Sequence, residues 1–215
     1  MRFYIDTAEI DEVKEAVDKG WIDGVTTNPS LIAKSGRDIK KVVKDLLDLN
    51  PGWISVEVLS TKSAEMIKEG TAWAEMGEEI VIKVPMTEDG LTAVRHFSSV
   101  GIKTNVTLVF SPLQALMAAK AGATLVSPFV GRLDDIGHVG MELVEQIIHI
   151  YDNYELETQV LVASIRNNQH ILDAGLLGAE VCTVPFNVLK QMITHPLTDK
   201  GIEKFLKDAK SAIIK

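Results

Sequence analysis

The sequence predicts an α/β fold, a closed (β/α)8 TIM barrel built as a single domain over residues 1–215 with an extra helix at its C-terminal end. Three observations carry this expectation. Eight short β-rich runs alternate with segments of helical apolar spacing along almost the whole chain. Glycines stand where those helices would stop, just ahead of the next strand. The fingerprints of nucleotide-binding open sheets, GxGxxG and GxxxxGK followed by Ser or Thr, are missing. The alternation alone fits either a closed barrel or an open doubly wound sheet; the count of eight favours closure. At 215 residues the chain is somewhat shorter than the about 250 typical of such barrels.

In chain order, the strands are expected at residues 3–6, 24–28, 54–58, 80–84, 103–107, 125–129, 159–164 and 180–184. The first helical segment places Ile10, Val13 and Val17 on one face, with Thr7 positioned to cap it. Gly20, Gly101, Gly122 and Gly178 fit the residue just past a helix, where left-handed backbone costs glycine little. Beyond the eighth unit, residues 198–215 carry Ile202, Phe205, Leu206, Ala209 and Ile213 as a helical stripe among charges. That stripe packs either on its own barrel or on a neighbouring subunit.

Composition narrows the setting. An apolar fraction of 46% suffices for a sizeable core without metal or disulfide support. The single cysteine, Cys182, forms no internal disulfide framework and suits a reducing cytosol, and no apolar run approaches a membrane span. The N-terminus MRFYIDT lacks the apolar stretch of a signal peptide because Asp6 interrupts it, so a cytoplasmic location is expected. A formal charge of −8 disfavours nucleic acid as a partner while leaving room for a local basic pocket that takes a small phosphate.

Strands covered by helices should read as nearly continuous apolar runs. These turn polar towards their ends: Tyr4 then Asp6, Thr26 then Asn28, Ser55 then Glu57, Val81 then Lys83, Asn105 then Thr107, Leu125 then Ser127, Val162 then Ser164. Residues two apart share a face, and the intervening Ile5, Val56, Ile82 and Val126 suit the helix-facing side. The polar set is therefore expected to converge on the barrel axis at the C-terminal mouth, where barrel enzymes keep their chemistry. Taken singly, Asp6 and Asn28 read first as strand-end residues that reach solvent or cap the following helix.

Lys83, in IVIKVP, is the most informative single position. Lysine is seldom fully buried unless paired or functional. Burial disfavours an ammonium relative to the free amine, and the amine is what attacks a carbonyl. The competing readings are a lysine reaching out to solvent from the strand end, or a plain ion pair with Glu57. Lys103 opens its strand and is expected to face water. The five histidines (His96, His138, His149, His170 and His195) show no metal-site spacing, and no GxSxG marks a serine hydrolase. Arg132 and Arg166 follow the sixth and seventh strands; guanidinium forks suit phosphate oxygens, and either residue alone reads equally well as a solvated loop arginine.

The strings DGVTTNPSLI around Asn28, IVIKVP around Lys83, KTNVTLVFS around Asn105 and VSPFVGRLDD around Phe129 and Arg132 together resemble transaldolases, and most closely the short microbial branch that includes fructose-6-phosphate aldolases. ASIR ending at Arg166 and IDTA at Asp6 fit as well. The resemblance spans the whole length and seven of the eight strand units. It implies that Lys83 forms an imine with the C2 carbonyl of a ketose phosphate and that Asp6 is the base on the C4 hydroxyl. It implies that Glu57 and Thr107 hold a water for proton transfers. Asn28 and Asn105 bind the dihydroxyacetone hydroxyls, Ser127 helps to line the pocket, and Arg132, Ser164 and Arg166 form the phosphate site.

It further implies sugar phosphates as partners, no metal or organic cofactor, and a homo-oligomer, since short-branch relatives form pentamers that pair into decamers. Aldolase members tend to carry glutamine where this chain has Glu57 and tyrosine where it has Phe129, so the resemblance points to the transferase. A fructose-6-phosphate aldolase and a non-catalytic barrel that binds sugar phosphates are the alternatives.

Overall fold

The computed structural model describes residues 1–213. Its eight strands, β1 (Arg2–Asp6), β2 (Gly24–Thr26), β3 (Trp53–Glu57), β4 (Ile80–Pro85), β5 (Thr104–Val109), β6 (Leu125–Pro128), β7 (Gln159–Val162) and β8 (Val181–Val184), pair in sequence order. The sheet closes where β1 pairs in parallel with β8. The expected barrel is the observed one. Helices return the chain over the outside: α1 (Ile10–Asp18), α2 (Pro29–Ser35) and α3 (Ile39–Leu49) first, then α4 (Ser63–Ala74), α5 (Glu88–Ser99) and α6 (Pro112–Ala121). They are followed by α7 (Val130–Asp134), α8 (Gly140–Asn153), α9 (Asn168–Leu177), α10 (Phe186–Gln191) and α11 (Pro196–Ile213).

Period-two alternation sorts the strand residues into two apolar shells. Ile5, Val56, Ile82, Val126 and Val184 face outwards into the main core against helix residues such as Val13, Val43, Phe97 and Ile147, all buried. Each large side chain so buried contributes about 1.5–3 kcal/mol. Tyr4, Val81, Leu125, Leu161 and Val181 face inwards and fill the barrel's lower interior, with Ala163 beyond them on the cavity wall. Gly24 is required in this wall: a Cβ there would sit 2.7 Å from both the Tyr4 ring and the Trp53 carbonyl oxygen. The four helix-closing glycines all adopt left-handed backbone, with φ between 64° and 89°.

The structure corrects several sequence expectations. Val162 lies in the outer shell with Val160, while Leu161 and Ala163 point inwards, so Val162 and Ser164 are not a same-side pair. β7 ends at Val162, and Ser164 turns with φ 61°, breaking the alternation. β2 ends at Thr26 instead of Asn28, because Asn28 is the N-cap of α2. β6 stops at Pro128, and Phe129 keeps only a single bridge to Ala163. β5 runs on to Val109 through a register shift that includes Leu108 at φ 61°. Thr7 is not the N-cap of α1; Glu9 is, and the Thr7 hydroxyl instead accepts the Glu9 N–H and donates to Glu12.

Lys103 precedes β5 at the opposite end of the barrel from the polar mouth, its ammonium donating to the Glu78 carbonyl over the Trp53 ring. α11 begins two residues before the expected start, and Leu197, Ile202, Phe205 and Leu206 are exposed. The stripe is therefore not packed on its own barrel. The expected end at Lys215 and the side chain of Ile213 lie outside the described residues.

Candidate active site

Register determines which side chains meet. Neighbouring residues in parallel strands point to the same face, and Glu57 pairs with Lys83, which pairs with Asn105. Carboxylate, ammonium and amide thus stand side by side on the inner surface. Asp6 pairs with Thr26 on the other side of the mouth. Lys83 is 5% exposed. Its Nζ donates to the Thr27 carbonyl at 3.0 Å and lies 3.1 Å from Glu57 Oε2. The carbonyl takes a hydrogen bond from the amine, the carboxylate pairs with its charge, and Lys83 also borders the cavity. An ammonium this deep is tolerable only with such pairing.

The cavity has a volume of about 290 Å³ and brings Asp6, Asn28, Lys83, Phe129, Arg132, Ser164 and Arg166 together around one space. The remaining four sequence-predicted residues stand behind that wall. Glu57 touches Lys83. Asn105, fully buried, donates to Ser55 Oγ at 3.2 Å and accepts from Ser127 Oγ at 2.7 Å, so Ser127 engages Asn105 and does not line the cavity. The Thr107 hydroxyl is buried with no protein partner. It lies on β5 two residues past Asn105, level with Pro85, and an orphaned buried hydroxyl of this kind suits a bound water. Asn28 does both things expected of it: its Oδ1 accepts the Leu31 N–H at 3.0 Å and caps α2, while the side chain still borders the cavity.

Burial pushes the Asp6 carboxyl above the usual carboxylate range, against the opposing pull of the Lys83 charge and of the hydrogen bond donated by Thr26 at 2.8 Å. The rim on the far side is cationic. Arg132, on α7, lies with its guanidinium 5.0 Å from the centre of the Phe129 ring. Arg166, in the loop after β7, pairs with Asp135 at 2.9 Å. The two arginine-bearing segments are tied together. The Gly131 N–H donates to the Ser164 carbonyl at 3.1 Å, and a Cβ on Gly131 would fall 2.2 Å from that oxygen. The buried His170 accepts the Arg166 N–H on Nδ1 at 3.3 Å, while its Nε2 meets Asp134 Oδ2 at 2.9 Å.

Thr26, Thr183 and Pro185 also line the cavity. Thr26 entered the sequence reading only as the partner of Asn28, and Thr183 was missed. Its signal was available: Val181 followed by Thr183 repeats on β8 the apolar-then-polar pattern of Val81 and Lys83. Among the described residues no group of three His, Cys, Asp or Glu side chains is arranged to hold a metal ion.

A buried lysine between carboxylates at the C-terminal mouth of a closed α/β barrel, faced by two arginines, is the arrangement of an enzyme that handles carbonyl compounds bearing an anionic group. The sequence model of the Transaldolase/Fructose-6-phosphate aldolase family matches residues 3–215, and the chain belongs to that family. It is an enzyme of transaldolase type. It is 63% identical over 212 residues to a probable transaldolase of Desulfosudis oleivorans, covering 99% of both chains. It is 57% identical over 208 residues to one of Bdellovibrio bacteriovorus, covering 97% of each, and 56% identical to one of Aquifex aeolicus, covering 97% of this chain and 96% of that one.

Proposed function

We propose that this enzyme moves a dihydroxyacetone unit from a ketose phosphate, fructose 6-phosphate or sedoheptulose 7-phosphate, to an aldose phosphate, erythrose 4-phosphate or glyceraldehyde 3-phosphate, through a Schiff base on Lys83. Glu57 is the nearest base to Lys83 Nζ and takes its proton. The amine then adds to the C2 carbonyl, and a water held between Glu57 and the unpartnered Thr107 hydroxyl carries the protons that turn the carbinolamine into a protonated imine. Asp6 removes the proton of the C4 hydroxyl. The C3–C4 bond breaks, its electron pair flows into the iminium, and a neutral enamine remains while the aldose leaves. An incoming aldehyde is attacked by the same enamine and the steps reverse. Asn28 and Asn105 bind the hydroxyls of the three-carbon unit, with Ser127 orienting Asn105; Arg132, Ser164 and Arg166 take the phosphate.

The observation that carries this reading is the environment of Lys83, 5% exposed, hydrogen-bonded at 3.0 Å and paired at 3.1 Å on the wall of a cavity that also contains Asp6. Glu57 and Phe129 support transfer over simple cleavage. A tyrosine hydroxyl in place of Phe129 would put a proton donor beside a hydrolytic water, and phenylalanine supplies none. Assay of fructose 6-phosphate consumption with and without erythrose 4-phosphate tests the choice: a transferase turns over rapidly only with the acceptor, whereas equal rates without it identify an aldolase.

The same reading places the reaction in the non-oxidative pentose phosphate pathway, in the cytoplasm, in a single-domain barrel. A buried, unpaired Cys182 supports that location. The exposed apolar stripe of α11 supports a homo-oligomer in which this helix packs on a neighbouring subunit, in a pentamer or decamer.

A further inference from the structure

The two strands that flank β1 close over Asp6 with a pair of hydroxyls. Thr26, from β2, is 2% exposed, and its Oγ1 is 2.8 Å from Asp6 Oδ1. Thr183, from β8, is 4% exposed, and its Oγ1 lies 2.5 Å from Thr26 Oγ1. Each hydroxyl carries one proton. With Asp6 ionised, the Thr26 proton belongs to the carboxylate, because a carboxylate only accepts and a hydrogen bond to it is roughly twice as strong as a neutral one. The short contact between the hydroxyls then needs the Thr183 proton. The chain has one polarity: Thr183 donates to Thr26, and Thr26 donates to Asp6.

From this geometry we propose that Thr183 is a positioning residue for Asp6, its O–H holding the Thr26 O–H on the carboxylate so that the base stays ionised and aimed into the cavity. The inference rests on the reading of Asp6 as the general base. It answers a physical difficulty in that reading, since the carboxylate sits where desolvation favours its acid form. The charges facing Asp6 do not supply a second hydrogen-bonding partner. Lys83 acts at a distance and is itself hydrogen-bonded to Thr27 and paired with Glu57. Arg132 and Arg166 lie across the same cavity. Glu9, Glu12, Lys34 and Lys190 line an adjoining cavity that shares Asp6 as a wall. In the acid form, Asp6 Oδ1 still accepts from Thr26 but as a weaker carbonyl acceptor, so the chain discriminates in favour of the carboxylate.

The test is the pH dependence of kcat/KM for transfer between fructose 6-phosphate and erythrose 4-phosphate in the wild type, Thr183→Val, Thr183→Ser and Asp6→Asn. Valine keeps the volume and removes the hydroxyl; serine keeps the hydroxyl. Thr183→Val is expected to move the acid limb upwards by about half a unit to one unit, the equivalent of one net hydrogen bond. Thr183→Ser is expected to restore the wild-type limb. Borohydride trapping of Lys83 checks that each variant keeps its imine site. An unshifted limb in Thr183→Val, with trapping intact and Asp6→Asn inactive, overturns the inference and leaves Asp6 as the base. Full activity of Asp6→Asn overturns the assignment of Asp6 itself.

Discussion

Asp6 shows what one buried carboxylate costs the fold. Its folded-state proton affinity is raised above that of the unfolded chain, chiefly by desolvation. The associated stability is therefore fully present below the ordinary carboxylate range and is lost as pH rises through the elevated folded value. Near neutrality the ionised group is a net burden. Asp6→Asn, whose amide oxygen can still accept from Thr26, is expected to raise Tm near neutral pH, by about 2–4 °C for each kcal/mol gained at this chain size, and to lose that advantage on acidification below about pH 4. Thermal unfolding of both proteins across that range checks it; an equal Tm difference at every pH contradicts the linkage. The same substitution is expected to abolish transfer, which separates stability from function at a single residue.

At the scale of elements, the short helix α7 and the loop after β7 are held as one unit by the Gly131 N–H to Ser164 bond and by His170 bridging Arg166 and Asp134. Gly131→Ala forces a methyl group to within 2.2 Å of a backbone oxygen. It is expected to destabilise by about 1–3 kcal/mol and to raise KM for phosphorylated substrates more than it lowers kcat, as measured by denaturant unfolding and steady-state kinetics. His170→Ala, which leaves the Arg166 N–H and the Asp134 carboxylate without this partner, is expected to change KM in the same direction; an unaltered KM in both variants removes these contacts from the phosphate site.

These couplings were not legible in the sequence. Period-two alternation predicts Lys83, Glu57 and Asn105 on the inner face because β3 and β4 run regularly to their ends and Asn105 precedes the register shift in β5, and it would have yielded Thr183 on the same logic. It mispairs Ser164 with Val162, because β7 has already ended and the backbone turns to φ 61°, although Ser164 does reach the cavity. A left-handed serine and a buried histidine touching both a loop and the end of α7 are products of tertiary contact. Asn28 shows another case: capping ahead of Pro29 and a place at the mouth stood as alternative readings, and the residue does both.

For the whole molecule, closure of the sheet is the event that assembles the site, because Asp6 and Thr183 come together only when β1 meets β8. α11 adds what the barrel does not cover: Leu197, Ile202, Phe205 and Leu206 are all more than half exposed, an apolar stripe that a lone chain would leave in water. Phe205→Asp combined with Leu206→Asp is expected to shift the enzyme to smaller species in sedimentation velocity. An unchanged sedimentation coefficient contradicts assembly through this helix.

Transfer through an imine requires Lys83 to become covalently joined to the ketose. Borohydride reduction during turnover with fructose 6-phosphate, followed by peptide mass spectrometry, is the decisive experiment. A reduced three-carbon adduct confined to Lys83 and absent from Lys83→Met is the predicted result. A protein that turns over while Lys83 remains unmodified, or an adduct on another lysine, would contradict it.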